Sequence, residues 1–166
     1  MAKLTCALDF DDFVTLPPTS FAALRELDVG IWGCNPSYTA LIGSLHGLEK
    51  LHLADQNCHV VSAHRPPGTS FTSSLWAAIS GLPRLAELHL DTADGEGSLA
   101  GYLHAPEGSF PNVQTVRLND WCDKNFTLSG REASQFVRQF PHLEHLAMGG
   151  CRYWPEGMGD DLPWPQ

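Results

Sequence analysis

The chain repeats one short pattern of apolar residues five times. An apolar residue is followed by two variable residues and Leu or Val, by two more variable residues and Leu or Val, and then by one variable and one apolar residue. The copies occupy residues 21–29, 45–53, 82–90, 110–118 and 140–148. Equivalent residues of successive copies are 24, 37, 28 and 30 positions apart. A pattern repeated at such distances predicts a protein built from stacked structural units.

The end of each copy alternates between apolar and variable residues, as in Leu51, His52 and Leu53. Neighbouring side chains of a β-strand point to opposite faces, so the leucines share one face and the histidine lies on the other. Leu48, three residues earlier, packs on the same core as the chain turns into the strand. One unit cannot bury its leucine face alone, so the units must stack with their strands parallel and joined by crossovers.

The pattern resembles the leucine-rich repeat, and its uneven spacing is similar to that of the irregular repeat proteins of the fungal F-box type. The resemblance covers roughly residues 4–150, counting residues 4–10 as an incomplete first repeat. It implies an α/β fold, a leucine-rich repeat solenoid of about five to six repeats with parallel inner strands and outer helices and loops. It also implies a protein-binding scaffold, with substrate recognition in a ubiquitin-ligase-type complex as the role of such relatives.

The resemblance divides the chain into a leucine-rich repeat domain at residues 1–152 and a C-terminal cap or tail at residues 153–166. Trp154 and Trp164 are the residues expected to anchor that cap. We expect no helical F-box of the kind that precedes the repeats in such relatives, because the first predicted strand begins near Leu4. Without an N-terminal cap, the first strand is an edge through which the chain could associate with itself.

Three segments between the strands have apolar residues at helical spacing. They predict outer helices at residues 36–45, 73–82 and 129–140. Two longer connections, at residues 54–74 and 92–108, contain Pro or Gly where a helix would need better helix formers. We predict that both are loops.

The composition excludes several classes of protein. The 166 residues are 43% hydrophobic, which suits one folded domain, and they carry a formal net charge of -9. Such a charge disfavours binding to nucleic acid or to an anionic membrane and favours a protein partner with a basic or neutral surface. The sequence has no secretory signal and no apolar run of about 18 residues, which predicts a cytoplasmic or nuclear protein.

Four of the five cysteines follow the ends of predicted strands at similar distances: Cys34, Cys58, Cys122 and Cys151. This recurrence favours small apolar fillers beneath the next repeat over a chemical site. Disulfides and zinc ligands are the alternatives, but the count is odd and no C-x-x-C pair is present.

Aligning the five copies predicts which variable residues share the outward strand face. One column reads Glu26, Lys50, Glu87, Thr115 and His145, a second reads Asp28, His52, His89, Arg117 and Ala147, and a third reads Gly30, Ala54, Asp91, Asn119 and Gly149. Sign alternation along the first column is expected to stabilise the sheet. We predict that a partner protein binds this concave face through eight of these residues: Asp28, Lys50, His52, Glu87, His89, Asp91, Arg117 and Asn119.

A second hypothesis is a small metal-dependent hydrolase or metal-binding protein that uses His52 and His89. The two histidines fall on neighbouring strands, with Glu87 and Asp91 nearby. However, a flat sheet face is expected to splay ligands apart, and the spacing defines no third ligand. No nucleophile elbow, phosphate-binding loop or zinc-peptidase motif is present in the sequence. We therefore predict a protein without enzymatic activity, cofactor or metal ligands.

Overall fold

A computed structural model describes six stretches of the chain: residues 2–6, 18–31, 36–55, 73–92, 105–120 and 130–149. Most of the two predicted loops lies outside these stretches, as do the four recurring cysteines and the segment 153–166. The predictions for those parts of the chain remain predictions.

Six strands form one parallel sheet, and their order in the sheet is their order in the chain. The strands are β1 (Ala2–Cys6), β2 (Leu24–Ile31), β3 (Lys50–Asp55), β4 (Glu87–Thr92), β5 (Thr115–Asp120) and β6 (His145–Gly149). Each of the last five contains the end of one repeated copy. The first strand begins two residues earlier than predicted, and Leu4 pairs with Leu27 of β2.

Three α-helices of the described stretches lie between the strands at the predicted places. They are α1 (Pro36–Ser44), α2 (Ser73–Ser80) and α3 (Gly130–Val137), and a short 3-10 turn at Pro18–Phe21 precedes β2. The chain therefore has an α/β fold. No helix in the described stretches is long and apolar enough to cross a bilayer.

The inward residues of the strands pair in register and form the centre of the core. Leu27 pairs with Leu51, Leu51 with Leu88, and Leu88 with Val116. All four are at most 3% exposed. The helices cover this face with one buried stripe each, and those side chains join the same core: Tyr38, Leu41, Ile42, Leu75, Trp76, Ile79, Ala133 and Phe136.

The turns into β3, β4, β5 and β6 repeat the same backbone geometry. The N–H of Glu49 donates to the carbonyl of Arg25, that of Ala86 to Glu49, that of Gln114 to Ala86 and that of Glu144 to Gln114, at 2.8 to 2.9 Å. These five residues occupy the same position of the repeated pattern. The repeated copies are therefore equivalent in the turns that precede these strands as well as in the strands themselves.

An aromatic cluster joins α2 to the segment after α3. The Trp76 ring lies 4.6 Å from Phe110 and 6.2 Å from Phe140, measured between centroids. Its indole Nε1–H donates to Oε1 of Gln139 at 2.9 Å. Gln139 is fully buried, so this hydrogen bond satisfies a polar group that would otherwise destabilise the core.

Candidate functional site

The register of the strands brings all eight predicted binding residues to the face opposite the helices. Asp28, His52, His89 and Arg117 pair in one column, and Asp91 pairs with Asn119 in the next. Lys50 pairs with Glu87 in the remaining column. We call these eight residues the polar sheet face. Within it, Asp28, His52, His89, Asp91 and Asn119 form one connected set, which we call the His–Asp cluster.

His52 lies between two carboxylates. Its Nδ1 is 2.8 Å from Oδ1 of Asp28, and its Nε2 is 2.9 Å from Oδ2 of Asp91. Ionised carboxylates only accept hydrogen bonds, so this arrangement fits an imidazolium that donates from both nitrogens. The hydrogen bond to Asp91 raises the pKa of His52, and the charges of Asp91 and Asp28 add to this against the opposing effect of burial.

His89 has the opposite character although it stacks on His52. The ring centroids are 4.1 Å apart and the planes differ by 12°. Burial lowers the pKa of His89, and the neighbouring charge of His52 lowers it further. The pKa values of the two stacked imidazoles are therefore shifted in opposite directions.

Asp91 connects the two histidines. Its Oδ2 contacts His52, and its Oδ1 lies 3.0 Å from Nε2 of His89 and 2.8 Å from Nδ2 of Asn119, which donates to it. Only 5% of its side chain is exposed. Burial alone would raise the pKa of Asp91, but the hydrogen bonds from His52 and Asn119 and the histidine charges lower it. The cluster thus contains a buried carboxylate that remains ionised because its neighbours donate to it.

Lys50 and Glu87 form a separate ion pair at the edge of the polar sheet face. Their Nζ and Oε1 atoms are 2.7 Å apart, and nearly half of each side chain is exposed. The hydrogen bond and charge of Glu87 raise the pKa of Lys50. This pair agrees with the predicted sign alternation between strands, but exposed pairs of this kind contribute little to stability.

The prediction that a sheet face would splay the histidines apart from any third ligand is wrong for this cluster. One nitrogen or oxygen ligand atom from each of His52, His89 and Asp91 can be chosen so that all three lie within 4.8 Å of one another. The sequence predicts Asp91 and Glu87 near the two histidines, and in the structure Asp91 contacts both imidazoles. Its side chain crosses between columns, which alternation along a strand does not predict.

The contributions of the two histidines to the stability of the folded protein should depend on pH in opposite directions. A raised folded-state pKa means that His52 stabilises the protein below the unfolded value of 6.5, and that this contribution is lost as pH rises through the folded-state pKa. The lowered pKa of His89 means that its contribution is lost as pH falls below 6.5.

We expect the stability advantage of the wild type over His52→Gln to shrink with rising pH, and that over His89→Gln to shrink with falling pH. Urea unfolding between pH 5.5 and 8.5, with EDTA present, measures both differences. If the difference in unfolding free energy from the wild type changed with pH in the same direction for both variants, the opposite pKa shifts of the two histidines would be contradicted.

Comparison of the chain with models of protein families, with curated proteins and with solved structures finds no match. The class that the fold and site define is an α/β protein whose consecutive parallel strands carry a connected polar network on one face.

Proposed function

We propose that this chain is a leucine-rich repeat solenoid that binds a partner protein through the polar sheet face. The repeated pattern, the consecutive order of the parallel strands and the equivalent turn hydrogen bonds support the solenoid. In such an architecture each unit contributes one strand to a shared surface, and variable residues of that surface select the partner.

The observation that carries the binding proposal is the difference in polarity between the two faces of the sheet. One face is apolar and covered by α1, α2 and α3. The other presents Asp28, Lys50 and Glu87 with 41 to 49% of each side chain exposed. Polar residues of several strands in one continuous register are available to a partner that contacts those strands together, as on the binding surfaces of repeat proteins.

The His–Asp cluster supports binding because it fixes side chains before a partner arrives. Its hydrogen bonds and the stacked imidazoles restrict the rotamers of His52, His89 and Asn119. A surface that is already ordered loses less conformational entropy on association. The net charge of -9 favours a partner with a basic or neutral surface. Substrate recognition in a ubiquitin-ligase-type complex is the specific role that the resemblance suggests.

Site-specific photo-crosslinking tests this proposal. We expect a benzoylphenylalanine residue at Lys50 or Arg117 to give the same discrete adduct in native extract. Ala40 and Ala77, which are exposed on α1 and α2, provide control positions away from the polar sheet face. Adducts of equal yield from the control positions, or an adduct only with a second copy of the chain, would contradict binding of a separate partner through this face.

A further inference from the structure

Hydrogen bonding alone leaves a conflict at Nε2 of His89. This atom lies 3.0 Å from Oδ1 of Asp91 and 2.9 Å from Nδ2 of Asn119. A protonated Nε2 can donate to the Asp91 carboxylate, but its hydrogen then faces the N–H groups of the Asn119 amide. An unprotonated Nε2 can accept from the amide, but its lone pair then lies close to the carboxylate oxygen, which also only accepts. Exchanging the nitrogen and oxygen of the Asn119 amide does not help, because two acceptors, the amide oxygen and the Asp91 carboxylate, would then lie 2.8 Å apart.

A cation shared by His89 and Asp91 removes this conflict, because both atoms would then donate electron pairs to it. His52 presents its Nε2 to the same carboxylate at 2.9 Å. Its Nδ1 is meanwhile held at 2.8 Å by Asp28. A carboxylate on the second ring nitrogen fixes the tautomer and orientation of metal-bound histidines. Asp28 is therefore placed as a positioning residue for a ligand at Nε2 of His52.

We propose that Nε2 of His52, Nε2 of His89 and a carboxylate oxygen of Asp91 bind one divalent transition-metal ion of the zinc type, with a fourth position left open. Two imidazoles and one carboxylate suit borderline ions such as Zn²⁺ and Co²⁺, whereas Mg²⁺ and Ca²⁺ require more oxygen ligands. Asn119 donates to Asp91 and would hold the ligating carboxylate.

Binding requires three changes in the cluster. The two imidazoles are stacked with planes only 12° apart, so at least one ring must rotate about its side-chain bonds before both Nε2 lone pairs converge on one ion. Ligands about 2.0 to 2.2 Å from a tetrahedral zinc ion lie about 3.3 to 3.5 Å from one another, so the 2.9 and 3.0 Å contacts between the imidazoles and Asp91 must lengthen slightly. The ion also replaces the proton on Nε2 of His52, which is released to solvent. All three are changes of side chains. The metal site lies within the polar sheet face, but zinc binding needs no partner protein, so zinc binding and crosslinking are measured separately and can succeed or fail separately.

The test is titration of the metal-free, reduced full chain with Zn²⁺ by calorimetry. We expect one ion per chain, and affinity lowered more than about 100-fold in His52→Gln and in His89→Gln, because each removes a ligand. Asp28→Asn should weaken binding by about 10- to 100-fold, since it removes only the positioning carboxylate. His142→Gln, an exposed histidine outside the cluster, is the matched control and should bind as the wild type does.

The chain has five cysteines, whose thiolates could also bind zinc, so the test must identify the ligands. Co²⁺ bound at the proposed site should show visible d–d absorption without a thiolate charge-transfer band, and Mg²⁺ should not displace it. Circular dichroism checks that each variant is folded, and the exposed Asp28→Asn change keeps the test decisive if a histidine variant does not fold. No stoichiometric binding, a thiolate band, or unchanged affinity in folded His52→Gln or Asp28→Asn protein would overturn the proposal.

Discussion

Leu88→Ala should lower the free energy of unfolding by about 3 kcal/mol, the cost typical of truncating a fully buried leucine. Leu88 is 1% exposed and pairs with Leu51 on one side and Val116 on the other, at the centre of the stacked strands. Truncation there leaves a cavity that neighbouring strands, held by their own ladders, cannot fill. Urea unfolding followed by circular dichroism measures the loss.

Leu146→Ala is the matched control for this change. Leu146 occupies the equivalent position in β6 and pairs with Val116, but it is only partly buried. We expect about half the loss or less, because less apolar surface is removed from water. Equal losses at the two positions would contradict a core centred on the middle strands.

Asp91→Asn should lower the free energy of unfolding by about 2 kcal/mol. This is the second large effect that we expect from a single substitution. The substitution keeps the shape of the side chain but removes the charge that accepts hydrogen bonds from His52 and Asn119 at a position only 5% exposed. Removing one partner from a buried charged network leaves the others incompletely satisfied. Urea unfolding at pH 6.5 in the presence of EDTA measures the change.

The same substitution at Asp28 provides the control. Asp28 contacts the other nitrogen of His52 at a similar distance, but 41% of its side chain is exposed. Solvent screens that interaction, so Asp28→Asn should cost about 0.5 kcal/mol or less. If Asp28→Asn were as destabilising as Asp91→Asn, burial would not be what distinguishes the two carboxylates.

Much of the fold follows from the period of the sequence. Alternation in residues such as Leu51, His52 and Leu53 defines which side chains enter the core, and alignment of the copies correctly predicts the pairing of Asp28 with His52 and of His52 with His89. A one-residue slip would have exposed every leucine, so the register is strongly specified. The eight residues of the polar sheet face were identifiable for this reason.

The connections within that face were not predictable from the period. Asp91 belongs to the column beside the histidines, which predicts that it lies near them but not that its two carboxylate oxygens contact His52 and His89. Gln139 is similar, since a polar residue next to the repeated pattern gives no sign that it is buried against Trp76. Such contacts depend on side-chain direction in three dimensions, which residue type alone does not specify.

The most direct test of the His–Asp cluster is the protonation state of its two histidines, measured by long-range ¹⁵N–¹H NMR of the metal-free chain at pH 6.5. At the ordinary histidine pKa, His52 should be mainly imidazolium with both nitrogens protonated, and His89 should be mainly neutral. Assignment comes from the spectra of His52→Gln and His89→Gln. Two half-protonated histidines that titrate alike would contradict the claim that the repeated strands bring these side chains into one prearranged site.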